Sequence, residues 1–242
     1  MSETKKDIIN QLQKQILQWQ GFTAPPAGKA KGIGLGALEK AFPNEVFPVG
    51  TIHEMVCATP EHTAATGGLL GGLLHSLMQK GGACLWISVS RNLFPPALAA
   101  FNIMPDQMIF IDLGQERDVL WVMEQALKCE GLAAVVAEVR EINIVQSRRL
   151  QLAVESSKVT GFLLRSDLRK LGANTCVARW QISPLPSEPG DELPGVGYPR
   201  WQVDLLRVRN GNPGSWKLEW SDNGFIPVED QEISLTETRQ VG

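Results

Sequence analysis

The sequence predicts an α/β protein: a mostly parallel sheet flanked by helices and continued at its C-terminal end by antiparallel strands. Three observations carry this. Short apolar runs alternate with helical stretches of about ten residues between positions 50 and 164, the rhythm of right-handed crossovers joining parallel strands. One run, Ala83–Ser88, is almost continuously apolar, as befits a strand buried on both faces. Beyond Leu164 the helical stretches stop, and two strand-like runs are joined by "NGNPGS", a strong turn signal.

In chain order, residues 5–20 come first. Ile8, Ile9, Leu12, Ile16 and Trp19 recur at helical spacing among Lys and Gln, which gives one apolar stripe on a polar rod. Such an arm can dock on its own core or on another protein, and it allows self-association. Residues 21–49 read as a linker, opening with the Pro/Gly-containing "GFTAPPAGKAKGIGLG". A core domain spans 50–220. It begins with a strand at Thr51–Val56, a helix of small and leucine residues at Ala64–Gln79, and the strand Ala83–Ser88. A helix follows near Pro95–Phe101, with proline tolerated in its first turn. Next come a strand at Met108–Leu113, a helix at Asp118–Cys129, a strand at Leu132–Val139, a helix at Val145–Ser157 and a strand at Thr160–Leu164. The antiparallel extension is expected from Cys176–Ile182, Trp201–Arg209 and Trp216–Trp220. "PLPSEPGDELPGVGYP" is an exposed loop, and residues 221–242 form a polar, loose tail.

Composition narrows the function classes. The 242 residues are 43% hydrophobic and 20% charged, enough to bury one substantial core. No apolar run approaches the ~18 residues that span a bilayer, and the first twenty residues lack a signal peptide's apolar centre. Cytoplasm is the expected compartment, with no membrane partner. Cys57, Cys84, Cys129 and Cys176 form no CxxC pair and, with only three histidines, leave little from which to build a metal site. Three of the four lie in or beside apolar stretches and read as reduced core residues. The net charge of −3 argues against coating nucleic acid by bulk electrostatics. Residues 140–217 nevertheless carry +5 against −8 elsewhere, which points weakly to an anionic partner.

The strand–turn–helix beginning at "GTIHEMVCATPEHTAATGGLLGG" is where a nucleotide-binding protein carries its phosphate loop. A working loop reads G-x-x-x-x-G-K-[ST]: backbone N–H groups face the phosphates, lysine reaches the terminal phosphate, and the hydroxyl binds magnesium. The best register is "HTAATGGL". Gly67 matches the second glycine, but His62 stands for the first, Gly68 for the lysine and Leu69 for the Ser/Thr. The strand that should end in a magnesium-linked Asp places Glu138 there, and "WISVSRN" offers no water-activating acid. The expectation is a degenerate loop with no cofactor, no metal and no catalytic residue, because phosphoryl transfer depends on the missing charge neutralisation. Anion binding at the helix N-terminus stays open, and an ATPase with an unusual loop is the competing enzymatic reading.

The order of elements resembles the RecA core. "GLGALEKAFPNEVFPVGTIHEM", "ACLWISVSRNLFPPALAAFNI", "DVLWVMEQALKCEGLAAVVAEVREI", "SRRLQLAVESSKVTGFLLR" and "PRWQVDLLRVRNGNPGSWKLEW" together resemble the ImuA family. These are RecA-like proteins without an intact phosphate loop, related to the SulA division inhibitors. The resemblance covers roughly residues 5–222. It implies a non-enzymatic role in SOS-induced, error-prone translesion DNA synthesis. The implied partners are ImuB, an inactive Y-family polymerase relative, and an error-prone replicative-type (alpha-type) polymerase subunit; RecA filaments and DNA are further candidate partners. The SulA relationship implies the alternative, a division inhibitor that binds a tubulin-like protein.

The same resemblance suggests where contacts fall. The segments matching the DNA-facing loops of RecA are "REINIVQSRR" and "RSDLRKLGANT", with Arg140, Arg148, Arg149, Arg165, Arg169 and Lys170. They offer no aromatic for base stacking, so phosphate contact without sequence reading is the most they suggest. The plainer alternative is a solvated face on which Arg148 and Arg149 pair with Glu141 or Glu155. RecA subunits join through an N-terminal helix, matched here by Ile9, Leu12, Ile16 and Trp19. Arg207 and Arg209 in "LRVRNGNPG" match a basic segment that reaches a neighbour's nucleotide, and with no nucleotide to sense they are candidates to contact a partner's acidic surface or to help the fold. Trp180, Trp201, Trp216 and Trp220 are expected in the core and sheet.

Overall fold

A computed structural model describes residues 32–167, 171–188, 197–221 and 224–228. Among the described residues, nine strands, numbered in chain order, form one sheet in the order β3-β2-β4-β5-β1-β6-β7-β8-β9. The strands β1 (Ile52–Val56), β2 (Ala83–Ser88), β3 (Met108–Asp112), β4 (Leu132–Val139), β5 (Thr160–Arg165) and β6 (Ala178–Leu185) run parallel. Then β7 (Arg200–Val208), β8 (Gly214–Ser221) and β9 (Gly224–Pro227) continue the sheet antiparallel. The fold class expected from sequence is the one observed.

Helix α1 (Pro60–Met78) and the short 3-10 segments Gly36–Ala41 and Pro95–Phe101 lie on one face. Helices α2 (Glu116–Ala126) and α3 (Ile144–Ser157) cover the other. Local chemistry sets their ends. Thr59 caps α1, with Pro60 in the first turn where its missing N–H costs nothing. Asn143 and Gln146 close a reciprocal capping box on α3.

The inner parallel strands β1, β2, β4 and β5 are buried almost throughout because both of their faces are covered. In β6–β8 burial alternates, and Trp180, Ile182, Trp201, Val203, Leu205, Leu218 and Trp220 all turn toward the α1 side. Trp180, Trp201 and Trp220 are at most 3% exposed and Trp216 packs partly buried against the same core, as expected. Cys57, Cys84 and Cys176 are buried free thiols, while Cys129 is exposed.

Two boundaries differ from the sequence reading. Residues 35–47, assigned to the linker, put Leu35, Leu38, Ala41, Phe42 and Phe47 into the core. Phe47 stacks on the His53 ring at 4.5 Å, which anchors the segment beneath β1. Part of the loose tail is strand β9, held because Phe225 packs on Trp220 and Trp201. Pro95–Phe101 is a 3-10 segment rather than an α-helix. The N-terminal arm lies outside the described residues.

Candidate functional site

Only Cys57, Ala58 and Thr59 separate the end of β1 from the start of α1. A phosphate loop needs enough chain there to curl its amides round an anion. Here the helix begins two residues before His62, so His62, Gly67, Gly68 and Leu69 are all helical. The helix expected from Ala64 starts at Pro60 instead, so the expectation of a degenerate loop is corrected: residues 60–63 are helical too, and Gly67, Gly68 and Leu69 lie in its second and third turns rather than at its start. Leu69 is 2% exposed, and Gly67 is buried.

The glycines have another purpose. A Cβ on Gly71 would stand 2.6 Å from the Phe101 ring, and one on Gly72 would stand 2.5 Å from Phe225. A Cβ on Gly68 would meet the Trp201 indole at 3.0 Å. The glycine pairs of "TGGLLGG" let aromatic rings approach the helix backbone.

The first turn of α1 is also committed. The His62 amide donates to Thr59 Oγ1 and the Thr63 amide to the Thr59 carbonyl. Glu61 adds negative charge where an anion would sit.

Above this turn lies a cleft of about 630 Å³, outside the carboxyl ends of the parallel strands, where open α/β sheets place ligands. Its walls are apolar: Leu93, Phe94, Leu98 and Phe101 on one side, Gly67 and Gly68 on the other. Glu138 stands at its floor, accepting from the Trp86 indole N–H at 2.8 Å and from Asn92 Nδ2 at 3.3 Å. Burial pushes the Glu138 carboxyl above its ordinary value against those two donors. Among the described residues, no lysine or arginine lines the cleft, and no group of three or more His, Cys, Asp or Glu could hold a metal. A carboxylate without a cation, His62 and Thr63 amides already bonded to Thr59, and glycines packed under rings do not fit a magnesium–nucleotide.

The basic residues singled out by sequence fall into two groups. Arg140, Arg148 and Arg149 are exposed, near Glu116 at 4.0 Å, Glu155 at 3.9 Å and Glu124 at 2.6 Å respectively. Arg149 thus pairs across to α2, a partner that local spacing does not reveal. Arg165 is different. It is 1% exposed and donates to Glu54 at 3.0 Å, so the structure removes it from the candidate DNA contacts. Arg169 and Lys170 lie outside the described residues, as do Ile9, Leu12, Ile16 and Trp19.

Arg207 and Arg209 hold their own chain. Arg207 donates to Asn174 Oδ1 at 2.5 Å and to the Cys176 carbonyl at 3.3 Å, and Arg209 donates to the Thr175 carbonyl at 3.1 Å. Half-buried and bonded inward, they take the second of the two expected roles, as supports of the 174–176 loop, rather than that of partner contacts.

Sequence reasoning missed the centre of this support. Glu54 is fully buried in β1, bonded by Arg165, by Arg179 Nε at 2.5 Å and by Asn174 Nδ2 at 2.8 Å. Burial pushes its carboxyl up, but the bonds from Asn174, Arg179 and Arg165 outweigh that and leave it below its ordinary value. An acid inside the apolar run "TIHEMV" was the available signal. The apolar wall of the cleft was equally legible in "NLFPPALAAF", though only its place beside α1 gives it meaning.

The chain is 32% identical over 207 residues to the protein described as "Protein ImuA" in two strains of Caulobacter vibrioides. The matched stretch covers 81% of this chain and 85% of those relatives. Among solved structures, the RadB recombinase superposes with a TM-score of 0.56 at 14% identity, covering 82% of this chain and 99% of that one. That likeness bears on the fold alone, which is RecA-like. No family model matches. No helix among the described residues is long and apolar enough to cross a membrane.

Proposed function

The chain belongs to the ImuA family, and on that premise we propose that it is a non-enzymatic accessory protein of SOS-induced, error-prone translesion DNA synthesis. It acts beside an ImuB-type inactive Y-family polymerase and an error-prone alpha-type polymerase subunit. The observation that carries the non-enzymatic part is the three-residue connection between β1 and α1, which leaves Gly67 and Gly68 inside a helix, with Gly68 under the Trp201 indole. Catalysis of phosphoryl transfer needs a cradle and a cation at that corner, and neither is built from these residues. The exposed Arg140, Arg148 and Arg149 support a contact with DNA phosphates, sequence-blind and salt-sensitive.

Calorimetric titration with ATP and magnesium tests the first part, and co-purification with ImuB, RecA and a tubulin-like division protein in parallel tests the second. The reading expects no nucleotide heat and retention of ImuB. Micromolar ATP binding, or retention of the division protein alone, would overturn it.

A further inference from the structure

The cleft over α1 is shaped for an occupant, and its chemistry says which kind. Beyond Glu138 it does not close. The same residues that end it, Cys57, Thr63, Asn92, Glu138, Leu164 and Ser166, begin a second trough that runs on to Arg140 and Glu116. An enclosed pocket suits a small molecule; a trough open lengthwise suits a stretch of chain.

Along its length the character changes in order. First comes the apolar wall, where Phe94 is 69% exposed beside Leu93 and Ala97. A largely solvent-facing ring at the mouth of an apolar cleft has the composition of an interface anchor site. Next comes the Glu138 carboxylate, with no cation among the described cleft residues to answer it. Arg91, next to Asn92 in the chain, is paired instead with Asp112 and laid over the Phe110 ring at 4.7 Å. Last comes Arg140, exposed, with Glu116 at 4.0 Å.

We infer that this trough binds a segment of a partner protein that inserts bulky apolar side chains against Leu93, Phe94 and Phe101 and follows them with a lysine or arginine that reaches Glu138. The volume of about 630 Å³ holds two large side chains, so the segment carries a pair of them. Charge decides between occupants. Beside the apolar wall a nucleotide or an acidic peptide would bring negative charge against Glu138, whereas a basic residue would meet it; Arg140 at the far end already has Glu116 at 4.0 Å. This deepens the accessory-protein reading and rests on it only in needing a protein partner.

The test pans a random-peptide library against the full chain and against the Ala97→Trp and Glu138→Gln variants. Ala97 is exposed on the apolar wall, so an indole there blocks the cleft without entering the core. Circular dichroism and thermal melting verify that both variants stay folded. The expected result is enrichment of clones with paired bulky apolar residues followed by Lys or Arg. The synthesised consensus peptide should bind the Ala97→Trp variant about tenfold or more weakly, and the Glu138→Gln variant should lose its preference for that peptide over one with Glu in place of the cation. Absence of enrichment, clones rich in Asp and Glu, or equal binding by the Ala97→Trp variant would each overturn the inference. Displacement of the peptide by ATP and magnesium would instead strike at the accessory-protein reading while leaving the cleft as a binding site, so the two failures are distinguishable.

Discussion

The Trp180 indole N–H donates to Nδ1 of His53 at 3.3 Å, and this contact fixes the imidazole as a neutral ring. Nε2 lies 2.8 Å from the Pro48 carbonyl, so the proton belongs on Nε2 and the lone pair on Nδ1. Burial is the dominant influence and pushes the pKa from an ordinary 6.5 to about 4, with the Pro48 bond opposing it. The unfolded chain takes up a proton at His53 near 6.5, while the folded protein resists until about 4. Stability from this site is therefore complete above pH 6.5 and declines as pH falls toward 4. The decline is on the order of 3 kcal/mol. Urea midpoints measured at intervals from neutral pH down to about 4 should fall in the wild type. In a His53→Gln variant the fall should be smaller, and an equal fall would assign the acid sensitivity elsewhere.

Glu54 is expected to be the costliest single side chain to remove. Its removal would leave Arg165 and the largely buried Arg179 facing each other without their shared carboxylate. Breaking a buried pair in this way costs roughly 3–5 kcal/mol. Glu54→Ala should show that cost in chemical denaturation, and Glu54→Ala combined with Arg165→Met should recover part of it. Additive destabilisation in the double variant would mean that the two groups are not coupled.

The three exposed arginines should behave in the opposite way. Surface pairs such as Arg148–Glu155 contribute about 0–1 kcal/mol, so replacing Arg140, Arg148 and Arg149 by Ala should leave the melting temperature nearly unchanged. For DNA binding measured by anisotropy, each phosphate-binding arginine removed should lower the slope of log K against log salt by about 0.7–0.9. Unaltered DNA affinity and slope in the triple variant would remove these residues from the DNA surface. Arg165→Ala, by contrast, should lower the melting temperature, because it takes one of the two guanidinium partners from the buried Glu54.

Alternation of apolar runs and helical stretches made the sheet legible, because covered parallel strands have to be apolar on both faces. The antiparallel extension was legible for a similar reason, since β7 and β8 alternate and "NGNPGS" forces the turn. What escaped was whatever depends on distant partners. Arg165 looked like a DNA-facing cation until Glu54, 111 residues away, was placed beside it. Phe225 sat in a polar tail, and its burial depends on Trp201 and Trp220. The glycines of α1 matched a phosphate-loop pattern by type, while their use is set by Phe101, Trp201 and Phe225.

That reassignment of the glycines gives the last prediction. If the segment were a loop that had merely shed its ligands, writing them back would restore nucleotide binding. Gly68→Lys with Leu69→Thr recreates the lysine and hydroxyl of the phosphate-loop pattern. In the helix, however, a Cβ at position 68 already meets Trp201 at 3.0 Å, and position 69 is 2% exposed within the core. The lysine would have to displace the indole, and the threonine would bury a hydroxyl where Leu69 packed. Trading a buried leucine for a smaller polar residue costs about 2–4 kcal/mol. The double variant is therefore expected to melt well below the wild type and to give no heat with ATP and magnesium. A variant that stays folded and binds ATP would mean that residues 62–69 can leave the helix to form a cradle, and that the three-residue connection after β1 is one of two states.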